Sequence, residues 1–171
     1  MPLAQAANAQ TPGKIMKIRH SVLALPLALS LAVSLAASPL ALSTATAAGR
    51  DDRLSYPVAD VLNSPELKAR LPDVKFYFGS QRASVSKSLG ETHTNKKTNA
   101  FNKTDKVACD WAMLSALIAI GEDAKRRGGN AVVGIESNYK GERTSSNDSY
   151  VCGAGNLMAG VALVGTVATV R

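Results

Sequence analysis

Residues Cys109–Ser137 read CDWAMLSALIAIGEDAKRRGGNAVVGIES, and the fold is decided here. Trp111, Leu114, Leu117, Ile118, Gly121 and Ala124 recur at three- and four-residue spacing, the period of one helix face. Met113, Ala116 and Ile120 widen that stripe, so the spacing predicts a largely buried helix over about 108–127. Asp105 is the expected cap. Lys125, Arg126 and Arg127 fall in the last turn, where the helix dipole favours positive charge. Gly128-Gly129 then stops the helix, because one glycine can take the left-handed cap conformation. The run Ala131-Val132-Val133-Gly134-Ile135 is rich in β-branched residues and predicts a central, covered strand. Gly134 within it is expected to mark a close approach by a neighbouring chain.

The flanks add strands and loops. Val74, Phe76 and Phe78 alternate with Lys75 and Tyr77, predicting a short strand whose aromatic face packs on the long helix. Ser80–Leu89 holds a weaker alternation. Residues 90–106, GETHTNKKTNAFNKTDK, are almost wholly polar and read as a loop or mobile hairpin. Asn138–Ser149 reads as another polar loop. From Tyr150 to Arg171 both parities are apolar, as in a long covered strand, with a turn or bulge within Cys152–Gly160. Four glycines and many β-branched residues there favour a strand over a membrane helix. Before all this, residues 49–73 read as a lead-in: a flexible Gly49–Pro57, then a short helix within Asp60–Leu71. Ser64-Pro65-Glu66 marks a helix start there, and Pro72 ends the segment. The expectation is an α+β domain over 74–171, with a small mixed sheet packed against one main helix.

The first third of the chain has another character. Lys17, Arg19 and His20 precede an apolar run from Val22 to Leu42, and Ala45-Thr46-Ala47-Ala48 follows. This is the order of an export signal: basic, apolar, then small residues at a cleavage site. Residues 16–48 are read as a cleaved signal peptide, with a retained anchor as the alternative; Pro26 and Pro39 interrupt the run. Met16 makes an ordinary signal opening, and 1–15 then reads as an extension ahead of the true start. The expected location is the periplasm or the medium, with no stable membrane span after cleavage. Lys14, Lys17 and Arg19 are the only lysines or arginines before residue 49. Of 20 basic residues, 17 therefore remain beside all 13 acidic ones, a net charge of +4. That charge is mild and favours anionic lipid or glycan surfaces. Without a ladder of aromatics, it gives no case for nucleic acid.

Cys109 and Cys152 form an even pair, expected to be bonded in an oxidising compartment; two buried thiols are the alternative. Other chemistry finds few candidates. No GxxxxGK[ST] phosphate cradle exists, since Gly121–Arg127 carries a lysine but neither the second glycine nor the hydroxyl. Two cysteines 43 residues apart make no zinc pair, and no GxSxG elbow is present. His93 stands alone in a polar segment. Glu136, Glu142 and Asp148 have no sequence relation that gathers them with it. No catalytic residue, metal site or cofactor is therefore assigned. Lys125, Arg126 and Arg127 read first as helix-end charge, with an anion contact as the alternative.

The run Ala124–Ile135 (AKRRGGNAVVGI), followed later by Gly165–Val170 (GTVATV), resembles the small α/β domains of the YbjQ and RcsF type. The stretches around Cys109 and Cys152, with Met158–Leu163, are more particularly similar to uncharacterised exported proteobacterial proteins. Some of these are labelled excinuclease subunits, a role for which the phosphate cradle is missing here. The resemblance covers about 74–171. It implies a helix with a glycine-entered strand and a closing terminal strand, and an envelope role; for YbjQ-like domains it also implies homo-oligomeric rings. The chain has two cysteines where RcsF uses four, and it has no lipid-anchoring cysteine. The reading that follows is a non-enzymatic exported protein with an envelope protein partner. A periplasmic small-ligand or metal binder is the alternative, and a small hydrolase the second.

Overall fold

The computed structural model describes residues 49–171. The signal-peptide, extension and start-site readings fall on 1–48 and lie outside the described residues. The domain is α+β, a curled mixed sheet packed on one long helix and crossed by a disulfide.

The elements run β1 (Asp52–Pro57), α1 (Ala59–Leu62), α2 (Pro65–Lys68), β2 (Lys75–Phe78), β3 (Val85–Asn99), α3 (Asp105–Arg126), β4 (Ala131–Tyr139), β5 (Glu142–Thr144), β6 (Ser149–Ala154) and β7 (Met158–Val170). The helix expected over 108–127 is α3. Its cap is Thr104 rather than Asp105: the Val107 amide donates to Thr104 Oγ1 at 3.3 Å. Asp105 sits in the first turn and binds Arg50 instead. At the other end Gly128 adopts φ +76°, with Gly129 N–H donating to Ala124 O and Gly128 N–H to Lys125 O. That pair of bonds is the Schellman stop. The expected short helix is split into two single turns, and the second starts where Pro65 follows the Ser64 cap.

β7 is the spine of the sheet. β3 runs antiparallel along one of its edges, from Val85↔Val170 to Asn99↔Met158. The other edge is shared by β6 at the start of β7 and β4 further along. β1 extends the sheet beyond β6, and β2 pairs with β4 in parallel. β5 returns on β4 through Lys140 and Gly141, both at positive φ, as a two-residue hairpin turn requires.

Further readings are corrected, among them the polar loop expected over Asn138–Ser149, which holds the end of β4, the hairpin turn and β5. Residues 90–99 are strand, not loop: β3 is an edge strand, so its outward residues meet water and its inward positions carry threonines. Thr92 among them is buried. A bulge at Gly90 (φ +97°) and the pair Lys96-Lys97 guard this long edge against pairing with another chain. Residues 52–57 are not a flexible lead-in but β1, paired with β6 over its whole length, so the sheet begins well before residue 74. Gly134 marks no close approach; nothing lies within 4 Å of where its Cβ would be. Its φ of +60° accompanies the register shift between Val133 and Glu136, which makes it a bulge glycine.

The core lies between α3 and the inward face of the sheet. Met113, Leu114, Leu117 and Ile120 join Val132, Ile135, Val161, Leu163 and Val167 in one buried cluster. The aromatic strand packs as expected, since a Cβ on Gly121 of α3 would strike Pro72 and come within 3.1 Å of Phe76 Cζ. The Cys109–Cys152 disulfide is present, and both residues are fully buried. It ties the first turns of α3 to β6. Beside it, the buried Tyr150 hydroxyl donates to Asp110 Oδ1 at 2.9 Å. Burial, with that carboxylate close by, pushes the Tyr150 hydroxyl far above the usual tyrosine range.

Candidate functional site, a groove on the helix-free face

The register of β7 separates two faces. Val161, Leu163 and Val167 point to α3; Gly160, Ala162, Val164, Thr166 and Ala168 point the other way. This second row is small, and it forms the floor of a groove. Opposite it on β3 stand Glu91, His93, Asn95 and Lys97, paired in turn with Thr166, Val164, Ala162 and Gly160. On the β4 side Glu136 pairs with Val164, and Asn138 pairs with Arg143 of β5. Arg143 reaches over β4 and β7 to Glu91, with Nη2 3.1 Å from Oε2. That ion pair closes over the middle of the floor, where Ala162 and Val164 are buried.

Past that bridge the groove opens into a cleft of about 520 Å³, lined by residues that include Gly153, Gly160, Asn95, Lys97, Tyr139 and Lys140. The Tyr139 ring lies over Gly153, so a Cβ there would overlap its hydroxyl unless the ring moved. The Tyr139 hydroxyl donates to Asp51 Oδ1 at 2.7 Å, and Lys140 pairs with the same carboxylate. The Lys140 hydrogen bond, then that from Tyr139, holds the Asp51 carboxyl below its ordinary value. Burial, then the bond to Asp51, pushes the Tyr139 hydroxyl up. The far wall is the β6–β7 hairpin loop, Asn156-Leu157, held against the start of the domain: a Cβ on Gly155 would lie 2.8 Å from Arg50 O.

The residues singled out in the sequence are dispersed. His93 and Glu136 flank Val164 on the groove face. Glu142 pairs with Arg53 on the β1 side, and Asp148 accepts from Ser146 Oγ at 2.8 Å. No group of three or more His, Cys, Asp or Glu suited to a metal occurs among the described residues. Lys125, Arg126 and Arg127 stand at the C-terminal end of α3, each in an ion pair. Lys125 faces Glu122 at 3.6 Å, and Arg126 and Arg127 face Asp123 at 2.9 and 2.6 Å. Arg127 Nη1 also donates to Glu91 O at 2.9 Å. Groove residues Asp51, Asn95, Lys97, Tyr139 and Gly153 were missed. The signal for them was the glycine spacing of CGAGNLMAG, which leaves bare backbone for a neighbouring ring or ligand to cover.

Asp123 carries a testable consequence. Burial pushes its carboxyl up, but the Thr92 hydroxyl and the charges of Arg127 and Arg126 outweigh that and hold it below the ordinary value. Its Oδ2 has no aligned hydrogen-bond donor, so the Arg127 contact is electrostatic. Asp51 and Asp105 are also held low, Asp105 chiefly by its bond to Arg50. Groups depressed in the folded state add stability above the unfolded carboxylate value. They lose it as pH falls through the lower folded values. Thermal midpoints should be flat above about pH 5 and fall below about pH 4. Asp123→Asn should lower the neutral-pH midpoint and flatten the acid limb; a limb as steep as wild type would refute the role given to Asp123.

Among the described residues no helix is long and apolar enough to cross a membrane, and the stretch Cys152–Val170 is two strands. Compared with known proteins, the chain matches no family model, no curated protein and no solved structure.

Proposed function

We propose that this chain is an exported, non-enzymatic envelope domain of the YbjQ/RcsF type that binds a protein partner in its helix-free groove. The observation that carries the reading is the groove itself: a floor of glycine and small residues, with polar side chains on both walls and an open end. Such a channel accepts an extended segment, because bare backbone lets another chain lie close and the Asn95 and Asn138 amides offer both donors and acceptors. Two ion pairs brace it, Asp51 with Lys140 and Glu91 with Arg143. A general base or acid would need a carboxyl poised near neutrality, whereas Asp51 is held low. Export is supported by the basic–apolar–small order of residues 16–48 and by the buried disulfide, which persists in an oxidising compartment.

A photo-crosslinking amino acid at Asn95 or Asn138, in cells, should trap a discrete protein adduct in the periplasmic fraction. The same probe at Glu66, on α2, should not. Gly153→Val should fill the cleft and drive the Tyr139 ring out, reducing the adduct at least tenfold while the domain stays folded. Cytoplasmic fractionation, or adducts no stronger at Asn95 and Asn138 than at Glu66, would overturn the reading. A second reading is favoured by the cleft volume, which lies within the range of small-molecule sites, roughly 300–1,000 Å³. A small polar ligand there would raise the thermal midpoint of wild type but not of Gly153→Val.

A further inference from the structure

One end of the domain, at the mouth of the cleft, combines two features. Phe101, Leu157 and Met158 are large apolar residues at 59%, 65% and 48% exposure. They are neighbours through the backbone: Ala100 N–H donates to Leu157 O at 2.8 Å, and Asn99 pairs with Met158. Near them lie Lys97, which lines the cleft with Leu157 and Met158, Lys103, whose Nζ donates to Asn99 O at 2.9 Å, and Lys96, which alternation turns to the opposite face of β3 from Lys97. Lys96 and Lys97 lie on the last turns of β3, and Lys103 lies in the turn that leads into α3. Among the described residues these three form no ion pair. Asp52 and Asp105 share Arg50, and Asp51 binds Lys140, so the carboxylates of this end exceed their paired cations by one, fewer than the three lysines. The patch is therefore an apolar tip with an unneutralised cationic rim.

Its place in the chain agrees with that chemistry. Gly49 and Arg50 line the cleft beside Leu157 and Met158. In sequence the apolar run Val22–Leu42 ends seven residues before Gly49. A retained anchor would hold this end against a bilayer. Cleavage after Ala47 or Ala48 would instead leave an α-ammonium here, adding to the rim.

We propose that this end is a membrane-contact face, with Phe101, Leu157 and Met158 entering the interface of an anionic bilayer. Lys96, Lys97 and Lys103 lie on the phosphate headgroups. Apolar side chains of this kind partition into the headgroup–acyl boundary, and nearby lysines are drawn by the negative surface. The proposal rests on export to the envelope. It takes up the mouth of the cleft, which Lys97, Leu157 and Met158 line, and leaves Asn138 and the floor beneath the Arg143–Glu91 bridge to a partner.

The test uses the oxidised form starting at Gly49, which contains the whole sheet, α3, the buried cluster and both cysteines. It should cosediment with vesicles of phosphatidylglycerol mixed with phosphatidylcholine, and far less with phosphatidylcholine alone. Added salt should release it. Phe101→Ser with Leu157→Ser should weaken partition roughly tenfold or more. Lys96→Ala and Lys97→Ala should weaken it roughly fivefold each. Arg126→Ala, about 30 Å away along α3, should change nothing. Because the replaced side chains are exposed, thermal midpoints should match wild type and separate lost binding from lost folding. Three results would overturn the proposal. One is no cosedimentation with anionic vesicles; another is equal partition by wild type and the Phe101/Leu157 variant. The third is a lipid-free dimer that this variant dissociates, which would give the patch to a second copy. Because vesicle binding is read on purified protein, its failure is distinct from a failure of the export or partner assays.

Discussion

Removing the Cys109–Cys152 bond, by reduction or by Cys109→Ala with Cys152→Ala, is expected to lower stability by about 4 kcal/mol. The figure follows from the sequence separation of 43, through the entropy that an open loop of that length returns to the unfolded chain. For a domain of this size the thermal midpoint should fall by roughly 15 °C. Position adds to length. Cys109 lies in the second turn of α3, and Cys152 lies on β6, between β1 and the start of β7. The bond thus joins the helix to β6, which β4 touches only through side chains, Ser137 accepting from Val151 N–H at 2.8 Å and Tyr139 lying over Gly153. Trp111, the only tryptophan, stands two residues from Cys109 and half-buried, so its fluorescence reports on the region that loosens. Melts with and without reductant measure the shift. Cys152→Ser alone should match the double variant, since a single thiol cannot bond. Coincident oxidised and reduced melts would show that the loop is held by packing instead.

This dependence bears on where the domain can work. A loss of about 4 kcal/mol takes most of a marginal stability of about 5 kcal/mol. Under the export reading, the chain reaches full stability only where thiols oxidise. Cytoplasmic expression should then give less soluble protein than export of the same sequence.

The parts of the fold legible in sequence are those whose signals are local and apolar. α3 declares itself because ten of its residues are buried, including Leu114, Leu117 and Ile120, and burial imposes the helical period. β7 is covered on both faces, by α3 on one side and by the Arg143–Glu91 bridge on the other, and β4 buries Ala131, Val132 and Ile135. They accordingly read as continuous apolar runs. β3 was hidden because its inward parity carries Thr92, Thr94, Lys96 and Thr98 rather than aliphatics. The period of two was present in threonine, a good strand former, but hydropathy does not register it. β1 carries its alternation in only Leu54 and Tyr56, among arginines and aspartates. The groove was the least legible feature. Its floor depends on how β3, β7 and β4 are registered, over separations of up to about 75 residues. Its deepest point, Gly153 under Tyr139, is a contact between two hairpins. Composition carries no trace of that. Glycine spacing carries a little.

Leu117→Ala is expected to cost about 3 kcal/mol, the second large effect. Leu117 is fully buried, and the residues one turn away on α3 (Met113, Leu114, Ile120 and Gly121) are buried as well. Its face meets the inward row of the sheet, so removal of three carbons leaves a void that the closed helix–sheet seam cannot easily fill. Leu117→Met keeps the volume and should cost less than about 1.5 kcal/mol. Ile118, which shares the sequence stripe but is only partly buried, should cost about 1 kcal/mol as alanine, because less surface leaves water. Chemical denaturation with unchanged slope measures all three. Leu117 and Cys109 are eight residues apart on one helix, about 12 Å along its axis, far enough for their effects to add. A Leu117→Ala chain in reductant should therefore lose about 7 kcal/mol, more than the lower part of the ordinary stability range. It should be largely unfolded at room temperature while each single change leaves it folded. If the combined loss is no greater than the larger single one, the disulfide and the helix–sheet seam guard the same opening, and the clamp acts on the native core instead of on the unfolded chain.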